Sequence, residues 1–211
     1  YVSILWLIHR GIANSWINSD GTLCFRPYSN TSRADMALFL YRLAGKPDFD
    51  ESKAETFTDI DSQGEYRRAI LWLSSKNITQ GWDNGDGTKS YRPHDDLTRE
   101  QMSVFLYRFA GEPEYDEPAT SPFCDVSDSS SSRRAILWIA NVGLSLGWGN
   151  GDGTSSFRPQ DPILRCDMAQ FIYRFSDLDL SVKSEKAQCV LYSDGSLVVS
   201  SSKTSEPSHG A

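Results

Sequence analysis

Arg33, Arg99 and Arg165 recur at intervals of 66 residues, each directly after Ser32, Thr98 or Leu164. The run "TREQ" at 98–101 has the form of a capping box, with Thr98 as N-cap and Gln101 three residues on; "SRAD", with Ser32 and Asp35, is its weaker equivalent. Each arginine is therefore expected at the first position of a helix. A cation there opposes the helix dipole, and local stability alone favours Asp, Glu or Pro at that place. Unpaired backbone N–H groups lie at the same helix end, and together with a guanidinium they suit an anion. The other reading gives each arginine a carboxylate on a neighbouring repeat, Asp59 or Asp125. An unfavourable placement kept three times favours the anion. Arg42, Arg108 and Arg174 fall near the C-termini of the same helices, where a cation is favourable, and read as structural.

Upstream of each arginine lies a loop: "SWINSDGTLCFRP" from Ser15, "GWDNGDGTKSYRP" from Gly81 and "GWGNGDGTSSFRP" from Gly147. Its acidic and glycine content raises the question of calcium. With Gly87 as the sixth residue of an EF-hand loop, the first ligand would be Trp82 and the twelfth Pro93, which excludes that form. Asp86-Gly87 reads instead as a turn, the Asp bonding its own backbone and Gly supplying positive φ. Trp16, Trp82 and Trp148 either stack on a sugar ligand or close the core between repeats. Trp6, Trp72 and Trp138, on an apolar helix, read as core. The histidines His9, His94 and His209 hold unrelated positions, which disfavours Ser/His/Asp chemistry, and no acidic pair recurs in a way that suggests one hydrolytic centre. The four cysteines have no C-x-x-C spacing, so a zinc site is disfavoured. Three of them occupy positions where the other copies carry something else, which argues against a disulfide framework shared by all copies. No metal and no cofactor is expected.

The elements that hold these residues follow one period. Trp6, Trp72 and Trp138 share it, as do Pro27, Pro93 and Pro159, and Tyr41, Tyr107 and Tyr173. A first helix is expected at about 67–76, ending where Gly11, Asn77 and Gly143 suit a left-handed C′ position. A second begins after Thr98, with Met102, Phe105, Leu106 and Phe109 on its buried face. Gly45 and Gly111 close it; Asp177 stands there in the third copy. Leu164 cannot cap, so the third copy's second helix should start less firmly. The joints "KPDFDESKAET" and "EPEYDEPATSP" read as solvated linkers.

The reading is thus mainly α: copies at 1–47, 57–113 and 123–179, each helix, long loop, helix, followed by a tail at 180–211 with a β-hairpin around Asp194-Gly195 that could open a further module. The first copy lacks the opening "FTDI" or "FCDV" of the others, so the chain is expected to begin inside a repeat. One helix pair of this length cannot bury its own face, and the copies are expected to pack as a closed, roughly threefold domain. With 39% apolar and 23% charged residues and a formal net charge of −7, the chain has the composition of an ordinary globular protein. It carries no long-range field for nucleic acid or an anionic membrane. The stretch "YVSILWLIHRGI", broken by His9 and Arg10, is too short to cross a bilayer, and no signal-peptide or lipid-anchor motif is visible.

The ordered set "FTDI…AILWL…ITQGW…GTKSYRP…LTREQMSVFLYR", with its counterparts in the other copies, resembles the S-layer homology domain over about residues 1–176. The resemblance implies three tandem modules, the first truncated, in a mostly helical pseudo-trimer formed by one chain. It implies non-covalent anchoring of an exported bacterial protein to the cell wall or S-layer. The implied partner is a secondary cell-wall polysaccharide, often pyruvylated, held in grooves between modules, with no membrane insertion and no nucleic acid. The family's ligand arginine maps onto Arg99, whose motif matches most closely, then Arg33; at Arg165 the flanking residues depart, as Leu164 and Asp167. Asp59 and Asp125 match the aspartate of the opening F-x-D, and Gly81 and Gly147 the loop glycine, from which Ser15 departs. The competing classes are an envelope-associated glycan hydrolase, a choline- or glucan-binding repeat and a protein–protein scaffold.

Overall fold

The computed structural model describes residues 2–178 and the strand segments 188–191 and 197–200. Helices α1 (Val2–His9) and α2 (Arg33–Leu43) belong to the first copy, α3 (Glu65–Ser75) and α4 (Arg99–Phe109) to the second, and α5 (Arg133–Asn141) and α6 (Arg165–Ser176) to the third. None is long and apolar enough to cross a membrane.

The caps follow their residues. Thr98 accepts from the Gln101 amide and Gln101 bonds back to the Thr98 amide; Ser32 and Asp35 do the same at α2. Leu164 begins α6 with no side-chain cap. Gly11, Asn77 and Gly143 have φ of 66°, 57° and 74°, as left-handed positions past the helix end require. In the third copy the helix runs on through Ser176, and Asp177 stays in the right-handed region at the C-cap.

The long loop expected between helices is a small β-hairpin. The strands are β1 (Trp16–Ile17) with β2 (Leu23–Cys24), β3 (Trp82–Asp83) with β4 (Lys89–Ser90), and β5 (Trp148–Gly149) with β6 (Ser155–Ser156), all antiparallel. At the second tip the Asp86 carboxylate accepts from the Thr88 amide at 2.9 Å and hydroxyl at 2.6 Å, and the Asn84 amide donates to the Thr88 carbonyl. Asp20 and Asp152 repeat this bonding. The turn read at Asp86-Gly87 is present; the strands beside it were illegible because two residues carry no periodicity. A fourth antiparallel pair joins β7 (Gln188–Leu191) and β8 (Leu197–Ser200). The turn expected between them, at Asp194-Gly195, and the tail beyond lie outside the described residues.

The joints face solvent as expected, but they are not free linkers. Asp50 caps a 3-10 turn at Glu51–Lys53, Glu51 pairs with Arg67 and Arg68, and the Glu55 amide donates to Ser74 Oγ. In the second joint Glu117 pairs with Arg133 and Arg134, and the Tyr115 hydroxyl donates to the Arg134 carbonyl. Each joint is thereby fastened along the next helix and covers it. Leu71 and Leu137 on these helices are buried. The equivalent Leu5 on α1 is half exposed.

Contacts between copies run in a circuit. Helix α2 packs on α3, α4 on α5, and α6 on α1. At the centre the Thr31 amide donates to the Ile163 carbonyl, Ile163 to Leu97 and Leu97 to Thr31, at 2.8–2.9 Å. All three residues are buried. Trp72 and Trp138 lie in the core against Phe109 and Phe175, whereas Trp6 is half-buried, edge-on to Tyr173.

Candidate functional site

Each arginine starts its helix as expected, but the helix end is not open. The Arg33 and Ala34 amides donate to the carbonyls of Asp95 and Pro93; Arg99 and Glu100 reach Asp161 and Pro159; Arg165 and Cys166 reach Ser29 and Pro27. The third amide serves the cap at α2 and α4, Asp35 to Ser32 Oγ and Gln101 to Thr98 Oγ1, whereas at α6 Leu164 offers no cap. At α2 and α4 the neighbouring copy's carbonyls and the caps thus leave no free N–H group for an anion, and at α6 the carbonyls take the first two. The site that remains is the guanidinium.

That guanidinium crosses into the next copy's hairpin. Arg33 Nε donates to the Tyr91 carbonyl at 2.9 Å, Arg99 Nε to Phe157 at 2.8 Å, and Arg165 Nε to Phe25 at 3.1 Å. Each guanidinium lies over the hairpin tryptophan: Arg33 on Trp82 at 4.1 Å, Arg99 on Trp148 at 4.2 Å, Arg165 on Trp16 at 4.2 Å. These tryptophans are also within 5 Å of Arg92, Arg158 and Arg26, from the hairpin's own return. Their rings serve the junction between copies.

Asp59 and Asp125 do not pair with the arginines. Asp59 accepts from the Tyr91 and Arg92 amides at 2.7 Å each, and Asp125 from Phe157 and Arg158 at 2.8 Å. The carboxylates hold the hairpin's exit, where Arg92 and Arg158 adopt φ of 57° and 59° directly before proline, an unfavourable conformation for a side-chain-bearing residue. Gly81 and Gly147 have a packing reason as well. A Cβ on Gly81 would stand 2.4 Å from Phe57 Cε1 and 2.7 Å from the Ser90 carbonyl oxygen; on Gly147 the equivalents are 2.6 Å from Phe123 and 2.5 Å from Ser156.

The three junctions differ in what faces the arginine. Arg33 meets the neutral Gln101 amide at 3.4 Å, and no carboxylate lies within ion-pair distance of it among the described residues. It lines a cavity of about 240 Å³ with Gly81, Trp82, Gln101 and Phe105 and two further charged residues, Glu100 and Arg108. Arg99 donates to Ser145 Oγ at 3.4 Å and feels Asp167 only at longer range. Arg165 pairs with Asp35 at 3.5 Å. All three are almost fully buried, at 4%, 4% and 2% exposure. Burial disfavours their charged form: Arg33 and Arg165 are pushed down, and Arg99 down to about 10. A buried cation with no opposing charge gains most from an incoming anion. The motif match pointed first to Arg99; the cavity lies at Arg33.

Arg26, Arg92 and Arg158 also reach the tryptophans at these junctions, and sequence reasoning missed them. Their signal was present in the recurring aromatic-Arg-Pro, but only the proline was used. Arg42, Arg108 and Arg174 bond the carbonyls of Ile12, Ile78 and Leu144, and Arg42 also pairs with Glu65, in keeping with structural parts. Cys24, Cys124 and Cys166 are free thiols. Among the described residues no cluster of His, Cys, Asp and Glu could hold a metal ion.

The sequence profile of the S-layer homology domain matches residues 56–103, the segment carrying Asp59, the second hairpin and the start of α4. A cell surface protein of Thermoanaerobacter kivui is 30% identical over 126 residues, covering 58% of this chain and 16% of that protein. A cellulosome-anchoring protein of Acetivibrio thermocellus is 24% identical over 152 residues, 71% of this chain and 33% of its own length. An amylopullulanase of Thermoanaerobacterium thermosulfurigenes is 29% identical over 150 residues, again 71% of this chain but 8% of the enzyme. The chain thus spans a third or less of each of these curated relatives.

Proposed function

We propose that this chain anchors its polypeptide non-covalently to the bacterial cell envelope, by binding an anionic secondary cell-wall polysaccharide in grooves between modules. Three modules, the first without the F-x-D opening, form one pseudo-threefold unit in a monomer, and the ring of hydrogen bonds among Thr31, Leu97 and Ile163 supports that reading. The groove is where one module's arginine enters the next module's hairpin. The chain is a binding module, not an enzyme; the similarity to an amylopullulanase covers 8% of that protein, which fits a shared attachment segment.

The observation that carries the site is Arg33: a buried guanidinium, without a carboxylate partner among the described residues, on the wall of a cavity built largely by the matched segment. Trp82, engaged by two guanidinium groups, sets the shape of the groove rather than offering a bare stacking face. Asp59, Asp125, Gly81 and Gly147 act on the ligand through the hairpin they fix.

The test is retention of the chain on isolated bacterial cell wall, before and after removal of the non-peptidoglycan polymer. Retention that depends on the polymer and falls in Arg33→Gln supports the reading. Equal retention on stripped wall would sink it.

A further inference from the structure

The three grooves are built from one pattern, yet the residue facing each arginine changes from Gln101 to Asp167 to Asp35. Each is the third residue of its helix, and Gln101 and Asp35 also complete a capping box there, whereas Asp167 follows the uncapped Leu164. Each is also presented to the arginine arriving from the preceding copy in the circuit.

We propose that Asp35 is a built-in occupant of the Arg165 groove, a carboxylate of the chain standing where an external anion would sit, so that the groove at Arg33 binds anions and the groove at Arg165 does not. This rests on the anion reading of Arg33 given above. All three nitrogens of Arg165 are engaged: Nε by the Phe25 carbonyl, Nη1 by Asp35 Oδ2 at 3.5 Å, and Nη2 by the Asn14 carbonyl at 3.3 Å. Asp35 is held in place, its other oxygen accepting from the Tyr66 hydroxyl at 3.1 Å. At Arg33 the acceptors are Tyr91 and Gln101, and Nη2 has no hydrogen-bond partner among the described residues. Gln101 satisfies its capping box as Asp35 does, so the charge difference is not demanded by the helix. An anion entering the Arg165 groove would have to displace the carboxylate that bonds the guanidinium; at Arg33 it meets a neutral amide and a cavity whose lining also carries Arg108 and Glu100, the Glu100 oxygens already taken by Ser132 and Gln160. Asp167, near Arg99 but outside ion-pair distance, makes that groove intermediate.

The three hairpin tryptophans, each over one arginine, report the grooves separately. The chain is labelled with fluorotryptophan and titrated with D-glucuronate, a carboxylate sugar, with glucose as the neutral control, and followed by fluorine magnetic resonance. In the wild type the Trp82 signal should move and the Trp16 signal stay. In Asp35→Asn, which keeps an acceptor for the Ser32 amide, Trp16 should begin to respond. The reciprocal Gln101→Glu, which retains the capping box, should weaken the Trp82 response about tenfold. A Trp16 response in the wild type equal to that of Trp82 overturns the proposal, and so does an unchanged Trp82 response in Gln101→Glu. A silent Trp82 alongside a Trp16 that responds only in Asp35→Asn would remove the Arg33 site and leave the role of Asp35 standing.

Discussion

The guanidinium carbon of Arg33 lies 4.1 Å from the centre of the Trp82 ring, and its Nε donates to the carbonyl of Tyr91 in the same hairpin. Helix α2 of one copy is thereby keyed into the hairpin of the next. The same residue fastens two copies and lines the cavity between them, so its two duties must be separated by experiment.

Arg33→Lys keeps the charge but loses the fork that reaches Tyr91 and stacks on Trp82. It should lower stability by about 1–2 kcal/mol in urea unfolding. Arg33→Gln should lose a similar amount of stability and, in addition, wall retention under conditions where the variant is fully folded. A folded Arg33→Gln chain that is retained normally would leave the arginine with the structural duty alone.

Gly81→Ala tests the hairpin's close approach. The added Cβ would meet Phe57 and the Ser90 carbonyl at a positive φ of 65°, and neither neighbour is the free end of a flexible chain. A loss of about 2–4 kcal/mol is expected by thermal or urea unfolding. A change within experimental error would mean that the hairpin shifts at little cost.

Thr31 sits in the central ring where the other copies have Leu97 and Ile163, and its buried hydroxyl has no hydrogen-bond partner among the described residues. Thr31→Val replaces that hydroxyl by a methyl group of like size. It should raise stability by about 1 kcal/mol, read as a higher unfolding midpoint. A destabilised variant would indicate that the hydroxyl does find a partner.

Glu65 begins α3 and pairs with Arg42 and Lys46, whose hydrogen bonds and charge hold its carboxyl down at about 2 from an ordinary 4.5. A depressed carboxyl stabilises the fold above its unfolded value, and that contribution is lost as pH falls from about 4.5 through 2. Since the side chain is 35% exposed, solvent screening limits the effect to about 1 kcal/mol. Glu65→Gln should be less stable than the wild type at neutral pH, and the gap should close in acid. A gap constant from pH 7 to pH 2 would exclude the pairing as its cause.

Leu164→Thr supplies the missing cap of α6 and should add about 1 kcal/mol to stability, measurable as a higher midpoint in the same urea titrations. No gain would mean that the bridge between Asn30 and Leu164 already fixes the helix start.

The sequence by itself determined the helices and their ends. Capping at Ser32 and Thr98, its lack at Leu164, and the left-handed positions at Gly11, Asn77 and Gly143 are local chemistry, decided within a few residues and written in their types. It also marked the arginines as misplaced for local stability. What answers them is not local. Their partners, Tyr91, Phe157 and Phe25 with the tryptophans beside them, lie in another copy, and only packing decides which carbonyl meets which helix end. The same cause hid the occupied N–H groups, the joints laid along α3 and α5, and the task of Asp59; the two-residue strands were hidden by their shortness. The 66-residue period made the three grooves look alike; only the tertiary structure set Gln101 against Arg33 and Asp35 against Arg165, since which charge faces a buried cation depends on how the copies close on one another.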